Sequence, residues 1–224
     1  MQIHIGGVLM IMLNRDKKTK ELKPTTGLKS QAWRIYKPGQ KKPFPISRSG
    51  FSDFLTCQRC FYLNKVMGLK DIDTIPFTLN NTVDELVKKE FDNHREKQTP
   101  HKVMEEKKLN AIPFAHKDLH LWRNSRNHGV KYLHPELNLQ LRGGIDDVWK
   151  IKGSNPPELI IVDYKAQSKD IEVEKEEYLS DQYHQGYKRQ LDFYRYLFEK
   201  NDFKIYPIGY FLVYNALKTR ESLG

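Results

Sequence analysis

The segment that most limits the fold is Leu159-Ile160-Ile161-Val162-Asp163-Tyr164-Lys165, a short apolar run leading directly into a carboxylate and an ammonium two positions apart. An unbroken run of this length suits a strand buried on both faces. Such a strand needs helices packed against it, so the expected class is α/β. Side chains at i and i+2 of a strand share a face, about 6 to 7 Å apart. Asp163 and Lys165 should therefore converge on one small volume at the strand's end, as in a metal site beside a base.

A second acid comes from the preceding segment. Leu137, Leu139, Leu141, Gly143 and Ile145 alternate with their neighbours, which predicts one strand running to about Ile151. Asn155-Pro156-Pro157 supplies a turn, so the two strands should form a hairpin that brings Gly143-Gly144-Ile145-Asp146-Asp147 near Asp163. Strand alternation alone selects Asp147 as the inward acid.

Helical spacing appears on either side of the hairpin. Ser47 to Ser52 offers N-cap residues, and Phe51, Phe54 and Leu55 follow at i, i+3 and i+4. The helix should continue through Cys57-Gln58-Arg59-Cys60 and stop near Gly68. Val83, Leu86, Val87 and Phe91 predict a helix from Leu79 to about Lys97, a shorter one is expected near His116 to Arg126, and residues 172–177 form an acidic loop. Tyr183, Tyr187, Gln190, Leu191, Tyr194 and Leu197 make one helical stripe, and Ile205 to Tyr214 reads as the last strand.

Residues 1–46 read as a basic arm or linker and 47–224 as one domain, which ends within about ten residues of its last strand, as a truncated reading frame would. The apolar stretch Met1–Leu13 lacks a basic leader and is too short to span a bilayer, as is every other apolar stretch. With eight His and two Cys there is no disulfide framework, and a cytoplasmic location without membrane contact is expected. Lys and Arg outnumber Asp and Glu by 38 to 28, a formal charge of +10. That excess serves solubility or a polyanionic partner, of which nucleic acid is the commonest. Tyr62, Trp122 and Tyr132 are candidates for stacking on unpaired bases or for the core.

Three segments in order, Gly143-Gly144-Ile145-Asp146, Val162-Asp163-Tyr164-Lys165 and Gln190-Leu191-Asp192-Phe193-Tyr194, resemble the motifs of the PD-(D/E)XK nuclease superfamily, and its RecB-like branch best. The segment Ser47 to Leu63, with Cys57-Gln58-Arg59-Cys60-Phe61-Tyr62, is also similar to one found in related bacterial proteins. The resemblance covers about Lys37 to the C-terminus. It implies a restriction-endonuclease-like core, a central mixed β-sheet flanked by helices, and a metal-dependent nuclease acting on DNA. It also favours Asp146 over Asp147, with a bulge at Gly143-Gly144 re-aiming the acid.

Phosphodiester hydrolysis needs an activated water and neutralisation of the charged transition state, both of which a divalent cation supplies. Mg²⁺ or Mn²⁺ takes oxygen ligands, and one or two carboxylates suffice. Asp146 and Asp163 are the expected ligands, and the resemblance adds the Tyr164 carbonyl. Lys165 would orient the water, stabilise charge on the phosphate or act as base. Gln190 and Tyr194, one helical turn apart, would position the lysine or the substrate. Many RecB-like nucleases carry a metal-binding His on the earlier helix, where this chain has Asn80-Asn81-Thr82-Val83-Asp84. Asp84 is the expected replacement, with Glu85 and Glu90 as rivals and an exposed helix acid as the bland alternative. Relatives with a [4Fe–4S] cluster use four Cys, so Cys57 and Cys60 are expected to be free or buried thiols, or to share a zinc across a dimer, and no iron–sulfur cluster is expected. The runner-up function is a nucleic-acid-binding module on a decayed nuclease scaffold.

Overall fold

A computed structural model describes residues 15–16, 18–24, 26–71 and 78–216. The Met1–Leu13 stretch lies outside them. The long apolar run becomes β6 (Glu158–Gln167), the centre of a five-stranded mixed sheet. On one edge β6 pairs antiparallel with β5 (Asp147–Ile151), which pairs in turn with β2 (Ala111–Pro113). On its other edge β6 runs parallel to β7 (Lys204–Ile205) and β8 (Tyr210–Asn215). The expected last strand is thus two strands, interrupted where Pro207 removes a backbone donor.

Period two divides β6 between two apolar layers. Leu159 and Ile161 pack with Phe193, Leu197 and Phe198 of a long helix, α7 (Gln185–Glu199). Ile160, Val162 and Tyr164 pack with Val87 and Phe91 of α3 (Thr78–Lys97) and with Trp149. Each fully buried large apolar side chain contributes roughly 1.5 to 3 kcal/mol, so the helices are held to the sheet from both sides. This is the mixed α/β architecture of a restriction-endonuclease-like core.

The strand expected over 137–151 is broken. Its first half, β4 (Leu139–Gly143), lies in a separate three-stranded sheet between β1 (Phe44–Ser47, parallel) and β3 (Val130–His134, antiparallel). Its second half is β5. The break falls at Gly143-Gly144, where two elements come too close for side chains. A Cβ on Gly143 would stand 2.6 Å from the Tyr194 ring, and one on Gly144 would stand 2.7 Å from Ser125 Cα. The acids beyond the break therefore do not follow the phase of β4.

Phe44 and Ile46, placed with the arm by the sequence reading, are buried in β1. The helix from Ser47 is two helices, α1 (Arg48–Thr56) and α2 (Gln58–Lys65). Ser47 caps α1 by accepting the Gly50 N–H at 3.1 Å, and Cys57 is extended between the two helices and caps α2 through its sulfur. Cys57 and Cys60 form a disulfide, in place of the expected thiols or shared zinc. Among the described residues the other α-helices are α4 (Lys102–Glu106), α5 (Leu119–Arg123) and α6 (Lys175–Ser180). Of the acids expected in a loop, Glu172 and Glu174 precede α6, whereas Glu176 and Glu177 occupy its first turn, where they suit the positive end of the helix dipole. Among the described residues no helix is long and apolar enough to cross a membrane.

Candidate active site

Asp163 and Lys165 extend the face of β6 that carries Leu159 and Ile161 toward α7. The Asp163 side chain is fully buried, and the Lys165 ammonium is ion-paired with its Oδ2. Gln190, buried on α7, donates from Nε2 to Asp163 Oδ1 at 2.6 Å and to the Tyr194 hydroxyl at 3.2 Å. The amide is thereby held in one orientation beside the acid. Lys165 Nζ also lies 4.5 Å from the centroid of the Tyr187 ring, so that its charge faces an aromatic surface.

Asp146 reaches the same place from the chain break. Its Oδ2 accepts the backbone N–H of Tyr164 at 2.9 Å. Burial and the neighbouring Asp163 charge push its carboxyl up to about 7, against the opposing pull of Lys88 and Lys165. Tyr164 itself turns its ring into the core against Phe91 and donates its hydroxyl to Asp147 at 2.6 Å.

Asp147 belongs to a different network. It is fully buried and accepts from Arg95, from Arg123 Nη2 at 2.9 Å and from Trp149 Nε1 at 3.2 Å. Arg123 reaches Asp92 with Nη1 at 2.8 Å, and Arg95 also pairs with Asp92. Two guanidinium groups and two carboxylates close this set behind the sheet, which is how a buried charge is tolerated. Alternation in β4 pointed to Asp147 as the site acid, but the chain break gives it this structural place and leaves Asp146 beside Asp163.

Asp84 lies on α3 and lines the same cavity, of about 350 Å³, as Asp146, Lys165, Tyr187 and Gln190. Its carboxylate pairs with Lys88 one turn on, at 2.5 Å, and Lys88 Nζ also stands 3.9 Å from Asp146 Oδ1. Burial raises the Asp84 carboxyl, as does the Asp146 charge to a lesser degree, while the Lys88 hydrogen bond opposes them. The rival acids are elsewhere: Glu85 is exposed and Glu90 pairs with His101 at 2.8 Å. Among the described residues no group of three or more His, Cys, Asp or Glu is arranged to hold a metal ion. Two carboxylates do fit a Mg²⁺ or Mn²⁺ ion, because such an ion takes oxygen ligands and keeps several waters, and the buried Asp163 stands close enough to Asp146 for its charge to raise the Asp146 carboxyl.

Lys88 and Arg48 also belong to this cavity's surroundings and were not singled out from the sequence. The i, i+4 spacing of Asp84 and Lys88 was a signal for the first. Nothing in the local pattern marked Arg48, which enters the cavity because α1 starts beside it. Of the stacking candidates, Trp122 is core, 7% exposed and stacked on His116, while Tyr62 is exposed.

Neither the curated proteins nor the solved structures contain a match to this chain. The family model described as PD-(D/E)XK nuclease superfamily matches residues 74–222, a span that takes in α3, the broken strand, β6 and α7. Since the match covers well over half of the 224 residues, the chain belongs to the PD-(D/E)XK nuclease superfamily.

Proposed function

We propose that this chain is a metal-dependent nuclease of the RecB-like branch that hydrolyses DNA phosphodiester bonds in the cytoplasm. The observation that carries the reading is the buried Asp163, which has one oxygen held by Gln190 and the other facing Lys165, with Asp146 alongside. Asp146 and Asp163 would hold Mg²⁺ or Mn²⁺. The Tyr164 carbonyl would join them, since N–H and C=O of one strand residue point the same way and its N–H points at Asp146. Asp84 would contribute once released from Lys88. When bound, such a cation supplies an acidified water and charge stabilisation at the phosphate.

The protein groups do the rest. Gln190 fixes the Asp163 carboxylate, and Tyr194 fixes Gln190, so the acid cannot rotate away during turnover. The Lys165 ammonium stands where it would hydrogen-bond a phosphate oxygen or the attacking water. Arg48 lines the same cavity and adds a second cation for the phosphate.

The test is cleavage of end-labelled single- and double-stranded DNA with Mg²⁺, Mn²⁺ or EDTA. Wild type should cut only with metal, and Asp163→Ala and Lys165→Ala should each lose at least about a hundredfold. Intact DNA under every condition with well-folded protein would overturn the proposal. Salt-sensitive DNA binding without divalent-ion affinity would instead favour the binding-module reading, to which the Lys88 ammonium between Asp84 and Asp146 lends some support.

A further inference from the structure

Between β1, the end of α2 and the 125–127 turn lies a second cavity of about 420 Å³, whose charged lining is entirely cationic: Arg34, Lys65, Arg126 and Arg142. Arg142 is held in place there, donating from Nη2 to the carbonyls of Ser125 at 2.6 Å and Arg126 at 2.9 Å. Trp33 forms part of the wall. It is 61% exposed, on a single 3-10 turn (Ala32–Arg34) that buries none of its residues. The Arg34 guanidinium lies 5.9 Å from its ring centroid. The other two tryptophans, Trp122 and Trp149, are core residues.

Consecutive residues at the start of α1 line this cavity and the candidate active site. Ser47 lines the first and Arg48 lines the second. Trp33, Arg34 and Lys65 precede the family-matched span 74–222.

We propose that this groove binds an unpaired nucleic-acid strand, with a base stacked on Trp33 and phosphates on Arg34, Arg126 and Arg142. An open aromatic face among cations suits a single strand, whose bases are free to stack, and not a duplex, whose bases are already stacked on one another. The strand then passes the start of α1 to the acids around Asp163, a step that rests on the nuclease reading, whereas binding in the groove does not.

The experiment is fluorescence anisotropy in EDTA with labelled oligothymidylate and with a duplex of equal length. Wild type should prefer the single strand. Trp33→Ala should weaken that binding about tenfold while Trp33→Phe retains most of it. Arg34→Ala and Arg126→Ala should each lower the log–log salt slope by about 0.7. Unchanged single-strand affinity in Trp33→Ala, or a wild-type preference for duplex, overturns the proposal. Hydrolysis of bis(p-nitrophenyl) phosphate with Mn²⁺, a substrate too small to need the groove, is followed in parallel. An unchanged rate in Trp33→Ala assigns its binding loss to the groove. If wild type fails to hydrolyse this ester while Trp33→Ala still loses strand binding, the nuclease reading fails and the groove stands.

Discussion

Asp146 and Asp147 are neighbours in the chain, yet they contact opposite ends of Tyr164: Asp146 Oδ2 accepts its backbone N–H at 2.9 Å, and Asp147 Oδ2 accepts its hydroxyl at 2.6 Å. One residue thus locks an acid facing Asp163 to an acid in the Arg95–Arg123 network behind the sheet. The two carboxylates have the same chemistry and different work.

The two acids should separate by mutation. Asp147→Ala leaves Arg95 and Arg123 short of a buried counter-charge and should cost about 3 to 5 kcal/mol, a fall in Tm on the order of 10 °C. Asp146→Asn should fold with little loss of Tm and cut DNA at least about a hundredfold more slowly. Thermal scans run beside the cleavage assay check this, and equal loss of Tm in both variants would contradict it.

Metal-free stability should fall as pH rises toward neutrality. With the Asp146 carboxyl pushed up to about 7 and Asp84 raised as well, the folded state binds more protons than the unfolded chain between about pH 4 and 7. The resulting stabilisation is complete below that window and lost as pH passes through it. In EDTA the Tm should drop by several degrees between pH 5 and 8, Asp146→Asn should flatten the slope, and Mn²⁺ should restore Tm chiefly at the alkaline end.

Removing the Lys88 ammonium should tighten metal binding. That cation pairs with Asp84 and stands 3.9 Å from Asp146, so it repels a divalent ion there. Lys88→Met should lower the Kd for Mn²⁺ by about fivefold in isothermal titration calorimetry and lower the Tm in EDTA. Weaker Mn²⁺ binding would instead mean that Lys88 organises the acids.

Gly143 is a packing requirement. A methyl group there would meet the Tyr194 ring at 2.6 Å. Gly143→Ala should cost about 1 to 3 kcal/mol by overpacking. It should also displace Tyr194 from Gln190, so that the remaining folded protein turns over more slowly. Tm and the rate per folded molecule together check both effects.

Much of this was legible from local pattern. The apolar run 159–162 defined the central strand, because a short β-branched run bounded by turn residues suits a strand buried on both faces, and period two placed Asp163 and Lys165 on one face. The stripe from Tyr187 to Leu197 defined α7, and with it the shared direction of Gln190 and Tyr194. The disulfide, the split of α1 from α2 and the strand formed by Phe44–Ser47 were not legible, since each depends on a partner distant in sequence or on a bend that propensity does not encode.

The choice between Asp146 and Asp147 shows where sequence ends. Alternation along 137–145 extrapolates to Asp147, and period alone cannot see that Tyr194 and Ser125 press on Gly143-Gly144 and break the strand. The charges that fill the site, Lys88 and Arg48, come from elements far along the chain. The sequence by itself determined the central strand, the flanking helices and the residue types able to do the chemistry, because those follow from local periodicity. The resemblance already preferred Asp146, but local periodicity could not; tertiary structure supplied the physical reason and decided which cations attend the site, because both are set by close approaches between segments with no local signature.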